Sequence, residues 1–327
     1  MKSKIIVIDC GVLTHKAIFS YGSVQKKIME GKIPEKTFLP PVSYTFFQML
    51  IGSLKRIGVD KEDIIILAQD KTNSWRKFFY SEYKAQRKDF RDSHEHIDWD
   101  KHYTNIDKLL NQIDEATNWH IVWLPNCWNG ADLFLSKEGQ KLLNEADVQK
   151  NFDRMYGIEA DDIIAVASKY YFDREVIFIS IDADLDQLSI RENTKFFTLT
   201  QKYRGGTGVY KIIDNGYKIL AKKIEKGDIS DNIIPGKTDK NTENDVSRRE
   251  LIIDLINLPS FVEEPIKEVL ENLPQKEINL DKLPFQNSLA KRFLQIYKKD
   301  KILTYEDCVK RLKRKEKKRR NKNGKRK

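Results

Sequence analysis

The chain has 327 residues, 40% of them hydrophobic and 33% charged, with a formal net charge of +10 at pH 7. This length and composition suffice for one large domain or two smaller ones and exclude disorder along the whole chain. No apolar run approaches the roughly 18 residues of a membrane span, and Cys10, Cys127 and Cys308 form no CxxC pair or disulfide framework. We therefore expect an intracellular protein, in the cytoplasm or nucleoid, or in the host cell if the source is viral.

In chain order, the first 200 residues alternate short β-rich runs with helical patterns, which is typical of a parallel sheet wrapped by helices. The predicted strands are residues 4–8, 63–68, 120–124, 175–181 and 195–199. The predicted helices are residues 42–57, 74–86, 103–116 and 159–170. We therefore predict an α/β domain over residues 1–204.

The remaining segments differ in character. Residues 87–102 are highly charged and lack a stripe long enough for a core helix, so we expect a mobile surface segment. Residues 125–153, with a helical pattern over 137–152, are expected to be a surface insertion. After a stretch rich in Gly, Asn and Asp, helical patterns return and predict a smaller helical module over residues 205–309.

The basic charge is concentrated at the C-terminus. Residues 310–327 contain 13 Lys or Arg and one acid. This tail carries +12 against +10 for the whole chain, which leaves −2 for residues 1–309. We expect a disordered cationic arm that favours polyanions; a tail that only keeps the protein soluble is the alternative.

Acidic side chains follow the predicted strands, where open α/β sheets collect their active-site residues. Asp9 ends the first strand and Asp70 follows the second. Asp182 and Asp184 follow the fourth strand, and their i, i+2 spacing puts both on one face if the extended backbone continues. We therefore expect these carboxylates to lie close together.

Two further acidic blocks add to this set. Glu159, Asp161 and Asp162 open a helix, and Glu159 and Asp162 share a face at i, i+3. Asp228 and Asp231 repeat that spacing. Any one block could simply stabilise a helix N-terminus. Nine converging carboxylates are different, because each pair about 4 Å apart costs about 1 kcal/mol in water and about 4 kcal/mol near a protein surface.

Bound cations relieve such repulsion. Oxygen ligands without Cys or His select Mg²⁺ or Mn²⁺ over zinc. Two such ions about 3.5–4 Å apart suit phosphodiester hydrolysis, since they activate water and stabilise the leaving oxygen. The sequence therefore predicts a two-ion site.

A basic and aromatic segment follows Asp70 directly. Arg76, Lys84 and Arg87 are cationic, Lys84 and Arg87 lie one helical turn apart, and Tyr83 offers a stacking surface. An ordinary basic helix face is the alternative. We predict that these four act at the phosphate. The residues predicted to bind nucleic acid are Lys84, Arg87, Lys88 and Arg91.

Five segments resemble, in order, the acidic blocks of the 5′-nuclease superfamily, which includes flap endonucleases and the nuclease domain of bacterial DNA polymerase I. They are IVIDCGVLTHKAIF, AQDKTNSWRKFFYSEYKAQR, GIEADDIIA, ISIDADLDQL and GDISDNIIPG. The match spans residues 1 to about 236. The WRKFFYSEYKAQR block and the stretch containing Trp99 most resemble the ribonuclease H of T-even bacteriophages.

The resemblance implies a PIN-like fold and a division of the acids between two metal ions. The first ion would take Asp9, Asp70, Glu159, Asp161, Asp162 and Asp182; the second would take Asp184, Asp228 and Asp231. It also implies that Lys84 and Arg87 contact the scissile phosphate and that residues 87–102 belong to an arch or clamp that admits a 5′ end. The segment after GDISDN lacks the glycines of the family's helix-hairpin-helix, so we expect a degenerate, duplex-binding version.

We therefore predict a divalent-metal-dependent 5′ nuclease that acts on branched, nicked or RNA-primed duplex DNA in replication or repair. Expected partners include replication proteins such as single-strand-binding protein or a sliding clamp, and we expect a monomer. A PIN-type ribonuclease on structured RNA shares the acidic sheet edge but not the Lys84/Arg87 segment or the GDISDN block. A non-catalytic DNA-binding scaffold gains nothing from anionic groups that face phosphate.

Overall fold

A central sheet organises the computed structural model, which describes residues 2–70, 73–144, 148–199, 208–234, 243–282, 293, 296–297, 304–310 and 313–314. The strands are β1 (Ile5–Asp9), β2 (Ile64–Ala68), β3 (His120–Val122), β4 (Trp128–Asn129), β5 (Met155–Tyr156), β6 (Val176–Ile179), β7 (Thr194–Thr198) and β8 (Val209–Lys211). Six of them form one sheet in the order β3-β2-β1-β6-β7-β8. All neighbours pair in parallel except β7 and β8. The predicted, mostly parallel α/β sheet is confirmed.

Helices cover both faces of this sheet. They are α1 (Cys10–Met29), α2 (Val42–Ile57), α3 (Arg76–Phe79), α4 (Gln86–Asp92), α5 (Trp99–Ala116), α6 (Gly130–Leu135), α7 (Lys137–Leu142), α8 (Ala160–Tyr170), α9 (Gly216–Lys226), α10 (Glu243–Ile253) and α11 (Ser260–Glu271). Alternate side chains of β1 enter opposite cores. Ile5 and Val7 pack with residues of α8 and α11, whereas Ile6 and Ile8 pack with residues of α1, α2 and α5. The sheet is therefore buried on both sides.

The predicted helix over residues 74–86 is wrong. The chain forms the short helix α3, then a turn, and then α4. Lys84 interrupts the helix because its backbone is left-handed, with φ of 56°. Its amide donates a hydrogen bond to the carbonyl of Asp231 at 2.9 Å. A contact distant in sequence thus overrides the local helical pattern.

Residues 87–102 contain more regular structure than the sequence predicts. Helix α4 occupies their first part and α5 begins at Trp99. Ile97 is buried against the α1/α2 core, and His102 is buried beside the ring of Tyr21. The expectation that this segment carries no core helix is therefore wrong at its C-terminal end.

The predicted insertion, residues 125–153, forms compact local structure. It contains β4, α6, α7 and a 3₁₀ turn at Gln149–Asn151, and β4 pairs with β5 in antiparallel fashion. The predicted helical pattern over residues 137–152 is only partly helical, because α7 ends at Leu142. Asn126 of this segment lines the same cavity as Asp70 at the acidic edge of the sheet.

The described residues after 208 pack on the same cores as the first part of the chain. Leu220, Ile253, Val262 and Ile266 belong to the cluster that contains Ile5 of β1. The boundary at residue 204 and the duplex-binding role of residues 205–309 stay predictions. Residues 235–242, and most of the basic tail 310–327, lie outside the described part of the chain. None of the helices that the structure describes is both long and apolar enough to cross a bilayer.

Candidate functional site

The acidic side chains gather at the carboxyl ends of the parallel strands. Asp9 is the last residue of β1, and the register pairs it with Ala68, two residues before Asp70. Asp182 follows β6, which pairs with β1 on the other side. Asp161 lies in the first turn of α8. We call Asp9, Asp70, Asp161 and Asp182 the acidic cluster.

The members of the acidic cluster repel one another. Burial raises the pKa of Asp9 to about 7, and the neighbouring charges of Asp70 and Asp182 add to this effect. Hydrogen bonds from the amide of Val12 and the hydroxyl of Ser180 oppose it. Burial, followed by repulsion from Asp182 and Asp9, raises the pKa of Asp161 well above its ordinary value. The cluster therefore holds more negative charge than the protein alone neutralises.

Asp184 and Asp228 form a second acidic pair around a lysine. The ammonium group of Lys223 lies 2.5 Å from Asp228 Oδ2 and also forms an ion pair with Asp184. Burial and repulsion from Asp182 still raise the pKa of Asp184 to about 7. The Lys223 ammonium thus occupies a position where the surrounding oxygens favour a cation.

The expected extended backbone after β6 does not continue. Asp184 begins a 3₁₀ turn, Asp184–Ile190, and its amide donates to Asp182 Oδ1 at 2.9 Å. The two carboxylates are neighbours because the chain turns at this point. The expected extended conformation was therefore wrong, although the two side chains do lie close together.

Asp162 and Arg76 form a buried ion pair rather than active-site groups. Arg76 is 2% exposed and Asp162 is fully buried. Arg76 Nη2 lies 2.6 Å from Asp162 Oδ1, and Nη1 lies 3.1 Å from Oδ2. The indole nitrogen of Trp75 donates to Oδ2 as well. Both Asp162 oxygens accept hydrogen bonds from Arg76, and both side chains are buried, so these contacts favour a structural pair. The metal role of Asp162 and the phosphate contact of Arg76 stay predictions.

Glu159 is likewise held by donors from the protein. Lys84 Nζ lies 2.7 Å from Oε1, while Arg76 Nη1, the Tyr83 hydroxyl and the Ser74 hydroxyl lie 2.8–3.0 Å from Oε2. Burial raises the pKa of Glu159, but Lys84 and Arg76 outweigh it and hold the pKa far below the ordinary value. Glu159 therefore binds these cations, and the predicted metal role does not fit its contacts.

Tyr83 does not offer a stacking surface. It is 3% exposed and its hydroxyl donates to Glu159. The Lys84 ammonium lies 4.7 Å from the centre of its ring. The buried Tyr83 ring thus helps to hold the Lys84 ammonium in place. The expectation that Tyr83 stacks on nucleic acid does not fit this burial.

Basic side chains stand at the rim of the cluster. Lys84 Nζ and Arg87 Nη2 lie 3.9 and 3.5 Å from the carboxylate of Asp231, so this acid sits with the basic groups rather than with Asp228. The Arg87 side chain is 51% exposed. Lys88 and Arg91 lie on α4, which has no buried residue. We call Lys84, Arg87, Lys88 and Arg91 the basic rim. The side chains of Arg87, Lys88 and Arg91 are exposed to solvent, whereas that of Lys84 is largely enclosed.

Glycine and serine positions beside the acids escaped the sequence analysis. A methyl group at Gly11 would lie 3.3 Å from Asp9 Oδ1 and 3.4 Å from Asp70 Oδ2, so glycine keeps the space beside these oxygens open. Ser180 belongs to the ISIDADLDQL block, but the sequence alone assigns it no role, and Lys223 lies in none of the five blocks. Their positions, directly after β6 and five residues before Asp228, connect them to the acids.

The residues fit a hard divalent cation. The donors are carboxylate oxygens, Asp9 and Asp161 have raised pKa values and no ion-pair partner among the described residues, and Gly11 leaves space beside Asp9 and Asp70. Across the described residues, no group of three His, Cys, Asp or Glu side chains is arranged so that it could hold a metal ion as it stands. The site is therefore an open acidic cleft.

Comparison with known proteins agrees with this geometry. No family model matches the chain. The chain is 22% identical over 289 residues to a 5′-3′ exonuclease of Mycoplasmopsis pulmonis (strain UAB CTIP), a match that covers 86% of this chain and 79% of that protein. The solved structure of T5 5′-exonuclease with bound zinc ions superimposes with a TM-score of 0.52 at 13% identity, over 83% of this chain and all of that one. The predicted closeness to T-even ribonuclease H stays a prediction. The chain thus has the fold of T5 5′-exonuclease and is similar in sequence to a curated 5′-3′ exonuclease.

Proposed function

We propose that the chain is a divalent-metal-dependent 5′ nuclease, a 5′→3′ exonuclease or flap endonuclease. Its substrates are 5′ ends, flaps or RNA primers of duplex DNA. The observation that carries this proposal is the acidic cluster at the sheet edge with Lys84 and Arg87 at its rim. Carboxylates alone repel a phosphodiester, so acids beside phosphate-binding cations are useful only when metal ions neutralise them.

The carboxylates would divide between two ions. Asp9, Asp70, Asp161 and Asp182 would hold the first, and Asp182, Asp184 and Asp228 would hold the second. Mg²⁺ or Mn²⁺ bound there would lower the pKa of a water and stabilise the leaving oxygen. Glu159 and Asp162 are left out of this set because the enclosed side chains of Arg76 and Lys84 pair with them, and Asp231 because it faces Lys84 and Arg87. At Asp184 and Asp228 the second ion would take the place of the Lys223 ammonium.

Lys84 and Arg87 bind the scissile phosphate in different ways. Lys84 is preorganised, because Glu159 and the Tyr83 ring fix its ammonium and its backbone is tied to Asp231. A donor that needs no reorganisation is most effective where charge develops. Arg87 is half exposed and presents a planar fork that suits two phosphate oxygens. Lys88 and Arg91 extend the positive surface along α4.

Further parts of the proposal concern the surroundings of the site. Residues 87–102 form part of the arch that admits the 5′ end, residues 205–309 hold the duplex, and the tail 310–327 adds non-specific attraction to DNA. Action as a monomer inside a cell, in replication or repair and with replication proteins as partners, belongs to the same proposal.

A panel of 5′-labelled flap, nicked, gapped and RNA-primed duplexes tests this function. We expect cleavage with Mg²⁺ or Mn²⁺ and none with EDTA. Asp161→Asn should lower the rate by about 100-fold or more, because it removes a charge at the reacting centre. Asp153→Asn is the matched control, since Asp153 is exposed outside the cleft.

Four outcomes would contradict the proposal. Cleavage that persists in EDTA, or an Asp161→Asn rate equal to that of the control, would refute the metal assignment. Cleavage of structured RNA with every DNA substrate intact would favour a PIN-type ribonuclease. Tight binding of DNA without hydrolysis under any metal condition would favour a scaffold.

A further inference from the structure

A cavity of about 570 Å³ opens beside the acidic cluster. Its volume lies within the usual range for sites that enclose a small organic group. Residues of α5, among them Tyr103, Ile106 and Leu110, supply a largely apolar part of the lining, whereas Gln69 and Asp70 supply polar groups from the end of β2. We call this cavity the Gln69 pocket.

Gln69 is unusual among the side chains of this pocket. It is 3% exposed, and neither Nε2 nor Oε1 of its amide has a hydrogen-bond partner among the residues that the structure describes. Its backbone is well satisfied, since the amide donates to the carbonyl of Val122 at 3.1 Å. A buried donor and acceptor without partners destabilise the folded chain, so their retention calls for an explanation.

We propose that the Gln69 pocket binds one unpaired nucleobase of the 5′ strand and that the Gln69 amide recognises the hydrogen-bonding edge of that base. This inference rests on the proposed function. A primary amide presents a donor and an acceptor side by side, which matches the adjacent acceptor and donor of a nucleobase edge. The position of Asp70 in the same lining places this base next to the cleavage site.

The other lining residues suit a nucleotide. The Tyr103 ring forms part of the wall and can contact a base. The guanidinium carbon of Arg91 lies 5.5 Å from the centre of that ring and supplies a cation for a flanking phosphate. A free anion fits less well, because Asp70 and Asp107 also line the pocket and Ile106 and Leu110 give it no hydrogen bonds.

Oligothymidine flaps test this proposal. Thymine is replaced, one unpaired position at a time, by difluorotoluene, which keeps its shape and stacking but lacks its hydrogen-bonding edge. We expect wild-type kcat/KM to fall about tenfold at one position near the junction, as loss of partners for a buried amide requires. In Gln69→Leu the ratio between the two substrates should fall to about 1.

Gln140→Leu is the matched control, because Gln140 is exposed on α7, and it should discriminate as the wild type does. Equal discrimination by Gln69→Leu and wild type, or no discrimination by wild type at any position, would overturn the pocket assignment alone. Failure of wild type to cleave the all-thymine flap with Mg²⁺ would overturn the proposed function as well.

Melting temperature gives an independent readout. Leucine nearly matches glutamine in volume and removes two unsatisfied polar atoms, so Gln69→Leu should melt about 2–4 °C higher than wild type without DNA. A lower melting temperature would show that the amide makes a structural hydrogen bond, and it would overturn the role in base recognition.

Discussion

Replacement of Arg76 by methionine should destabilise the fold strongly without removing a phosphate contact. Arg76 is 2% exposed and donates three hydrogen bonds to Asp162 and Glu159 and one to the carbonyl of Ile252. Methionine fills a similar volume but leaves Asp162 as an uncompensated buried charge. Removal of one partner of a buried ion pair costs about 3–5 kcal/mol.

The loss of stability in Arg76→Met can be compared with that caused by the same substitution at an exposed arginine. A loss of about 3–5 kcal/mol corresponds to a fall in melting temperature of about 4–7 °C for a chain of this size. Arg87→Met removes an arginine that is 51% exposed and lies 3.5 Å from Asp231. Exposed pairs contribute about 1 kcal/mol or less, so Arg87→Met should melt within a few degrees of wild type and instead weaken flap cleavage.

Urea denaturation and thermal melting of both variants, together with flap cleavage, provide the assay. The double variant Arg76→Met, Asp162→Leu should recover part of the lost stability, because apolar groups can replace a complete buried ion pair. If Arg76→Met is as stable as Arg87→Met, the account of Arg76 as a structural cation is wrong. If Arg76→Met is fully stable but no longer binds the flap, the result would support the sequence-based prediction that Arg76 contacts the phosphate.

Three further predictions concern the acidic cleft. The pKa values of Asp9 and Asp184 are raised from 3.8 to about 7 in the folded chain, so the folded state binds more protons than the unfolded state between about pH 4 and 7. The stability of the metal-free protein should therefore fall as pH rises through about 7; a melting temperature in EDTA that is higher at pH 8.5 than at pH 5.5 would contradict this. Mg²⁺ should raise the melting temperature more at pH 8.5 than at pH 5.5, because it binds the ionised carboxylates, and titration calorimetry at both pH values checks that order. Lys223→Met should lower the melting temperature in EDTA more than in Mg²⁺, since it removes the cation between Asp184 and Asp228; an equal fall in both buffers would show that Lys223 acts only through packing.

Much of the sheet could be predicted because its strands are local in sequence. Residues 5–8 and 64–68 are continuously apolar, and each run is followed by an acid within two residues, so the sequence alone predicts both the strand and the end at which acids collect. Strand β8 is only three residues long and forms one edge of the sheet, where it pairs with β7. A run that short gives no periodic signal.

The sequence could not predict which charged residues are buried in ion pairs and which ones face the cleft. Arg76 and Arg87 are identical in type and lie in one basic segment, yet one is enclosed and the other is half exposed. The difference arises from the left-handed turn at Lys84, which depends on a hydrogen bond to Asp231, far along the chain. Likewise Asp161 and Asp162 are adjacent, but helix geometry directs only Asp161 to the cleft.

The C-terminal helices contribute directly to the interior polar network behind the acids. Arg76 Nε donates to the carbonyl of Ile252 at 2.8 Å, and Gln187 exchanges hydrogen bonds with the backbone of Ile253 and Leu255. A shortened protein that ends at residue 204 would leave Arg76 and Gln187 without these acceptors and donors. A shortened form of this chain should therefore retain the sequence through Leu255 at least. Removal of residues 205–255 would delete the hydrogen-bond partners of Arg76 and Gln187 behind the acidic side chains.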